Sequence, residues 1–380
     1  MNSTAPKPAA SRPFDVTIRG AGVVGRTLAL LLARERLRVA LVVPPPPGGP
    51  DVRAYALNSA SRELLQSVRA WPEDETVITP VRDMQVFGDT DGAVRFSASA
   101  DPAAALSWIV DVPALEARLA EAVRYQAGIE LCTEAPPAQL TVVCEGKRSV
   151  SRAELGFEFD VRPYPQSAVA TRLQCALPHG GVARQWFTGG EIMALLPLGG
   201  PQGNSVALVW SVDRQQAKSW LEADAQDLIS AIEARCGQVL GPMQLLSPVQ
   251  AWPLELSRAR RWVASLPGGG VALAGDAAHA MHPLAGQGLN VGLADVAELA
   301  RVLHGREYWR GVGDHKLLRR YERARQADVN AMGWVTDGLF GLFSHADSRV
   351  QALRNWGMKG FERSGALKQW VSKQASGLGS

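Results

Sequence analysis

The sequence predicts an α/β fold: a parallel sheet, an antiparallel sheet inserted into it, and helices at the C-terminal end. Three observations predict it. Near the start, the apolar run 16–18 leads into Gly20, Gly22 and Gly25, then a helical pattern at Leu28, Leu31 and Leu32, then a second apolar run at 39–43. Strand, Gly-x-Gly-x-x-Gly turn, helix, strand is the order of a dinucleotide-binding unit. Between Tyr164 and Val212 the pattern changes to long strands with Gly-Gly turns and no helices, as in an antiparallel sheet. Further on, the buried-strand pattern 271–274 runs into a polar loop and then a helix with apolar positions Leu289, Val291, Leu293, Val296 and Leu299.

In chain order, residues 1–13 are rich in Ser, Ala and Pro, lack an apolar core, and read as a disordered lead. Residues 14–160 form the first part of a nucleotide-binding domain, whose glycines bring a helix N-terminus up to a pyrophosphate. The Asp or Glu that should close the second strand and bind a ribose is absent. Val43 stands there, followed by the stiff run Pro44, Pro45, Pro46 and Pro47, so the adenosine end of a ligand is expected to be held loosely. A helix follows over 59–68. Strands 84–87 and 94–97 flank the hairpin signal Asp89, Thr90, Asp91, Gly92. Residues 108–111 lead into an amphipathic helix with Leu115, Leu119 and Val123 inward. Strands at 129–131 and 140–143 come next.

Residues 161–255 form the antiparallel domain, with strands at 167–173, 183–187, 192–197 and 206–210 and one helix over 220–236. Residues 256–305 return to the first domain, and 306–380 supply the closing helices. The formal charge of +3 is too mild for a nucleic-acid stripe. Cys132, Cys144, Cys175 and Cys236 show neither metal spacing nor a disulfide framework, which points to a reducing, cytoplasmic setting. No apolar run is long enough to cross a bilayer.

The loop after residue 274 carries the chemistry. It reads Gly275, Asp276, Ala277, Ala278, His279, Ala280, Met281, His282, Pro283, Leu284, Ala285, Gly286, Gln287, Gly288, Leu289, Asn290. It offers free N–H groups at a helix N-terminus, where partial positive charge collects. Gly286 and Gly288 let a bound group approach the backbone. Asp276 sits just past a strand end, where α/β proteins hold ligand hydroxyls. The fitting ligand has hydroxyls at one end and an electron-accepting, anion-forming ring at the other, as a reduced flavin does. His279 and His282 brace the loop, because no carboxylate or thiol cluster completes a metal site with them.

These residues resemble the second flavin motif of the single-component aromatic hydroxylases. They are most similar to the ubiquinone-biosynthesis hydroxylase family, whose pattern is Gly-Asp/Asn-Ala-Ala-His, His-Pro, Gly-Gln-Gly-Leu-Asn. The resemblance covers nearly the whole chain after Pro13. It implies an FAD-binding, Rossmann-like parallel sheet with an inserted antiparallel β-sheet substrate domain. It implies that Asp276 binds the ribityl chain of FAD and that the backbone of Pro283, Gly286, Gln287, Gly288, Leu289 and Asn290 wraps the isoalloxazine. Arg53 would reach the FAD phosphates. Residues 144–152 resemble the family's Asp-Gly motif at the pyrophosphate, with Glu145 in place of Asp. The family's small strand meander before residue 140 is missing. Reduced NAD or NADP would reduce FAD, O2 would add at C4a as a hydroperoxide, and oxygen would pass to an aromatic polyprenyl-phenol or a small aromatic substrate.

Trp186, Met193, Leu195 and Trp210 are candidate pocket walls. No catalytic side chain and no metal ligand is assigned. The aromatic and basic residues after Trp334 suit peripheral contact with the inner membrane, and membership of a quinone-biosynthesis complex is a further expectation. Two other functions fit the departures: a non-catalytic, weakly flavin-binding accessory subunit, and a hydroxylase of a soluble aromatic acid using Arg172 or Arg184.

Overall fold

The structure is a computed structural model that describes residues 14–45, 48–49, 51–88, 92–98, 104–200, 202–280 and 288–344, with side chains described up to residue 331. The N-terminal lead, the loop residues His282, Pro283, Gly286 and Gln287, and the basic and aromatic stretch after residue 344 lie outside the described residues.

The chain opens with β1 (Phe14–Arg19), α1 (Val23–Arg34), β2 (Val39–Val42), β3 (Ala54–Leu57) and α2 (Ser59–Ser67). It continues through β4 (Ile78–Val81), β5 (Asp83–Phe87), β6 (Ala93–Ser97), β7 (Ser107–Asp111) and α3 (Val112–Tyr125). Then come β8 (Ile129–Cys132), β9 (Ala138–Val143), α4 (Val150–Glu154), β10 (Phe159–Cys175), β11 (Val182–Thr188), β12 (Glu191–Leu198) and β13 (Ser205–Asp213). Helices α5 (Arg214–Glu222) and α6 (Ala225–Cys236) precede β14 (Met243–Leu245), β15 (Gln250–Ala259), β16 (Val263–Leu266), β17 (Gly269–Leu273) and β18 (His279–Ala280). The described chain closes with α7 (Gly288–His304) and α8 (His315–Ser344).

The first sheet has the order β16-β17-β9-β1-β2-β8. Its strands are parallel except β16, which pairs antiparallel with β17. Parallel strands need both faces covered, and the strand interiors are accordingly apolar throughout: Val16, Ile18, Val39, Leu41, Leu140, Val142, Val271 and Leu273 are buried. Because β1 connects to β2 on one side while β9 and β17 lie on the other, the carboxyl ends of β1 and β9 flank a topological switch point, where such sheets bind ligands.

The second sheet runs β18-β15-β10-β13-β12-β11-β5-β6, with β14 on β10. The β5–β6 hairpin precedes α3 in the chain yet pairs parallel with β11, so it belongs to this sheet in space. Side chains alternate between the faces of a strand. On one face Val169, Trp186, Met193, Leu195, Leu208 and Trp210 form a cluster with Leu228, Ile229 and Ile232 of α6. On the other, Ala183 and Ala207 pack with Ala54, Ala56 and Leu196. Arg172 reaches across that face to Asp111 at 2.6 Å and to the carbonyl of Val52. This second face therefore packs on a third, three-stranded sheet of order β3-β7-β4.

The single helix expected over 220–236 is two. Asp213 and Asp224 each accept a hydrogen bond from the N–H two residues on, Gln215 and Gln226, both at 2.8 Å. Asp224 has extended backbone, which ends one helix and caps the next. All four cysteines are free.

Candidate functional site

Each glycine of the fingerprint has a separate reason to be glycine. Gly20 has φ +107°, and a Cβ there would lie 2.5 Å from the carbonyl oxygen of Cys144. A Cβ on Gly25 would lie 1.9 Å from the carbonyl oxygen of Gly20, so this residue lets α1 start hard against the strand end. A Cβ on Gly22 would meet nothing within 4 Å. Gly22 is the N-cap of α1 and gives the first-turn N–H groups no side-chain acceptor. Open space in front of uncapped N–H groups at a helix N-terminus is an arrangement that suits an anion such as a phosphate.

Across the switch point, Ala274 N–H donates to Val143 at 3.0 Å, and Cys144 N–H to Arg19 at 2.7 Å. This brings the ends of β1, β9 and β17 level. Gly275 has φ +63° and packs on Val24 of α1, as does Gly292 of α7. The Gly20 turn and the Asp276 loop thus meet at one residue, Val24.

Asp276 is densely surrounded by protein and still exposed to solvent, which places it on the wall of an open cleft. It makes no hydrogen bond to a described residue. Burial pushes its carboxyl above the ordinary value, while His279, Lys147 and Arg53 pull the other way. Tyr55 lies in the same field: burial pushes its phenol up, with Arg53 and Asp276 both acting on it. Arg53, Tyr55, Lys147 and Asp276 are therefore close neighbours. The Arg53 guanidinium is not free there; Nε donates to Asp51 at 2.8 Å, and the hydrogen bond raises its pKa. Lys147 pairs with Glu255 of β15 at 3.2 Å, so the cleft is walled by both sheets.

A family model described as an FAD binding domain matches residues 133–333. Ubiquinone hydroxylase UbiL of Rhodospirillum rubrum is 30% identical over 395 residues, spanning 97% of this chain and 90% of that protein. The chain belongs to the ubiquinone-biosynthesis hydroxylase family of FAD-dependent aromatic-ring monooxygenases. The 3-demethoxyubiquinol 3-hydroxylase of Escherichia coli is 29% identical over 97% of this chain and its own full length. In fold, p-nitrophenol 4-monooxygenase PnpA from Pseudomonas putida superposes with TM-score 0.74 at 17% identity, over 95% of this chain and 98% of that one.

The residues present fit the family's FAD at two places. Gly22 and the open α1 N-terminus suit the pyrophosphate, and the unpartnered Asp276 carboxylate suits ribityl hydroxyls. At a third place they do not. Val43 packs against the hydrophobic core and its N–H donates to Cys132 at 3.0 Å, so the end of β2 presents no carboxylate to the ribose of the FAD-binding family.

Other expected site residues occupy supporting places. Glu145 accepts from Ser149 Oγ at 2.7 Å and from the N–H of Ser151 at 3.1 Å, so its carboxylate holds the start of α4. That turn carries Arg152, buried, which donates to the carbonyl of Ala277 at 3.2 Å and stacks on Phe159. Gly288 opens α7 with clear space around it, and Leu289 packs partly on the core. The Asn290 side chain accepts from Asn58 N–H at 3.0 Å and from Ser61 at 2.8 Å, and donates to the carbonyl of Ala56 at 2.8 Å. It latches α7 to α2. Pro283, Gly286 and Gln287 fall outside the described residues.

The four candidate pocket walls are corrected. Trp186, Met193, Leu195 and Trp210 all lie on the face covered by α5 and α6, and Trp210 Nε1 donates to Glu191 at 2.9 Å. The residues between them face the cleft side: Gln185 and Phe187, Ile192 and Ala194, Val209 and Ser211, by the strand register. A shift of one residue exchanges the two faces of a strand. Arg184 shares the face of Trp186, and Arg172 is paired with Asp111, so neither is placed to receive a substrate carboxylate.

Sequence reasoning missed Asp295 and Arg325. Asp295 is fully buried and accepts from Gly275 N–H at 2.9 Å, from His279 Nε2 at 2.7 Å and from Arg325 Nε at 2.9 Å. Burial alone would raise its pKa, but His279 and Arg325 hold it below the usual carboxylate value. An acid inside the apolar run Leu293, Ala294, Asp295, Val296 was the available signal. Among the described residues no group of His, Cys, Asp and Glu could hold a metal.

Proposed function

We propose that this protein hydroxylates the aromatic ring of a ubiquinone precursor, with O2 as the oxygen source and reduced NAD or NADP as the electron donor. The observation that carries it is the cleft between the two sheets. One end is the open α1 N-terminus at Gly22, the middle is Asp276, without a hydrogen-bond partner among the described residues, and beyond lies the face of the antiparallel sheet that carries Ala194, Val209 and Ser211. When bound, FAD supplies the oxygen activation and the electron transfer.

The chain's own residues bind and orient. The α1 N–H groups and the helix dipole hold the pyrophosphate. Asp276 accepts hydrogen bonds from ribityl hydroxyls. The N–H groups at the start of α7, at Gly288, Leu289 and Asn290, put partial positive charge where negative charge develops on the reduced ring. Arg53, backed by Asp51, and Lys147 add positive charge at the phosphate side. Ala194, Val209 and Ala168 offer a dry apolar surface to an aromatic ring and keep water from the reacting face. Arg172 on that face is paired with Asp111, which favours a neutral phenol over an aromatic acid. The residues after 344 would contact the bilayer that holds a polyprenyl substrate, or a quinone-biosynthesis complex. Among the described residues no helix is long and apolar enough to cross a membrane.

The test is reconstitution. Protein loaded with FAD, given a short-tailed demethoxyubiquinol and NADH or NADPH under isotopically labelled O2, should release a product carrying one labelled oxygen on the ring. Tight FAD with no labelled product from any ubiquinone precursor would refute the assignment. A colourless protein that refuses added FAD would instead support the accessory role.

A further inference from the structure

Asp276 is bracketed by two anchors that end on the same atom. Oδ2 of Asp295 accepts from the N–H of Gly275, one residue before Asp276, at 2.9 Å, and from Nε2 of His279, three residues after it, at 2.7 Å. Arg152 also holds the carbonyl of Ala277 at 3.2 Å, but the Asp276 carboxylate has no hydrogen-bond partner of its own among the described residues. Asp295 is held in turn by Nε of Arg325 at 2.9 Å, whose other nitrogens reach Asp328 at 2.6 Å and the carbonyl of Val291 at 3.4 Å. The His279 ring lies on Trp262, with centroids 4.9 Å apart. The backbone N–H of Trp262 donates to Glu322 at 2.7 Å, and the Tyr321 hydroxyl to the carbonyl of Leu273 at 2.8 Å. Helices α7 and α8 thus grip the strand before Asp276 and the turn around it. Asp295, His279 and Arg325 form a buried polar network in which each named group has a partner, the arrangement that fixes a single geometry.

We infer that Asp295 is a positioning residue for cofactor binding, acting through Gly275 and His279 to hold Asp276 with its carboxylate presented to the cleft. The inference rests on the proposal that Asp276 takes the ribityl hydroxyls of FAD. It adds that His279 and Asp295 contribute to affinity only through Asp276 and do not touch the cofactor themselves. The network also explains why α8, remote in sequence from every glycine motif, belongs to the site.

Because removing Asp295 would take from the buried Arg325 its buried partner and leave it only the exposed Asp328, with a loss of stability, the experiment works on the other arm. His279→Phe keeps a ring on Trp262 but donates nothing to Asp295. His279→Gln keeps an amide donor. Affinity for FAD is measured by quenching of flavin fluorescence in wild type, His279→Phe, His279→Gln, Asp276→Ala and the double variant Asp276→Ala with His279→Phe, with apoprotein melting temperatures alongside. His279→Phe should weaken FAD by about tenfold, the worth of one hydrogen bond to a charged group. His279→Gln should recover most of that loss. In the Asp276→Ala background His279→Phe should cost no further affinity, because the two act as one unit.

Additive losses in the double variant would overturn the inference, since His279 would then act independently of Asp276. So would wild-type affinity in His279→Phe, or a loss in His279→Gln as large as in His279→Phe that follows the melting temperatures. A wild type that does not bind FAD, or an Asp276→Ala variant that binds it as well as wild type, would remove the cofactor assignment itself and this inference with it.

Discussion

Asp276 carries a conflict between stability and binding. Its carboxyl is crowded by protein, which disfavours the ionised form, and it lacks a hydrogen-bond partner among the described residues. A carboxyl whose folded pKa is raised binds more protons folded than unfolded. Its contribution to stability is present below the unfolded value near 3.8 and is lost as pH rises through the folded value. An ionisable carboxyl at this place therefore costs the ligand-free protein stability at neutral pH. Asp276→Asn should raise the melting temperature of the apoprotein at pH 7, an effect that shrinks as the pH is lowered toward 4. The same change should weaken FAD. A variant with an unchanged melting temperature at both pH values would show that the carboxyl is not strained. Val43 makes the opposite case, a binding contact the chain lacks. Val43→Glu places an acid where the ribose of the adenosine half should lie. It should tighten FAD by about tenfold, a charged hydrogen bond's worth, as read by the same fluorescence titration; an unchanged affinity would mean that the adenosine half does not pass that strand end.

Helix α1 separates two kinds of glycine. Gly25→Ala forces a Cβ into the carbonyl of Gly20, a clash with backbone that no rotamer relieves. It should destabilise the fold by about 1–3 kcal/mol or more. Gly22→Ala meets open space, so it should leave chemical denaturation within about 0.5 kcal/mol of wild type while obstructing the phosphate and lowering FAD affinity. Equal stability losses for both would remove the distinction. The fingerprint was legible because each of its requirements is local: a turn, a phosphate approach, a close helix–strand contact. The loop at Gly275 was legible for the same reason. The wall of the substrate side was not. Alternation in residues 183–187 and 192–197 shows that two faces exist, but the larger, more apolar set, Trp186, Met193 and Leu195, turned out to fill the contact with α5 and α6. Bulk marks the side that must be packed. The opposite side carries Ala194, Val209 and Ser211 beside Gln185, Phe187 and Ile192. Nor could sequence spacing show that Arg325 reaches Asp295, because the contact joins two helices whose relative placement is set only by the finished fold.

The described molecule has a parallel sheet, an antiparallel sheet and a small three-stranded sheet; Arg172 to Asp111 ties the second to the third, and Lys147 to Glu255 and β18, continuing from the Asp276 turn, tie the first to the second. Cofactor and substrate sites therefore have separate owners, and substitutions should separate them. Ala194→Trp, on the cleft face, should abolish ring hydroxylation while FAD affinity stays at the wild-type value. Trp210→Ala, on the packed face, should instead cost about 3–5 kcal/mol of stability, the usual price of deleting a buried Trp. Hydroxylation assays and denaturation curves on the two variants check this, and an Ala194→Trp enzyme with full activity would show that substrate does not lie on that face.

The most direct test of the cleft as the flavin site is FAD titration of purified apoprotein, wild type beside Asp276→Ala. Wild type should bind FAD saturably, and Asp276→Ala should bind at least about tenfold more weakly. Equal affinities would contradict the assignment of this cleft to the flavin.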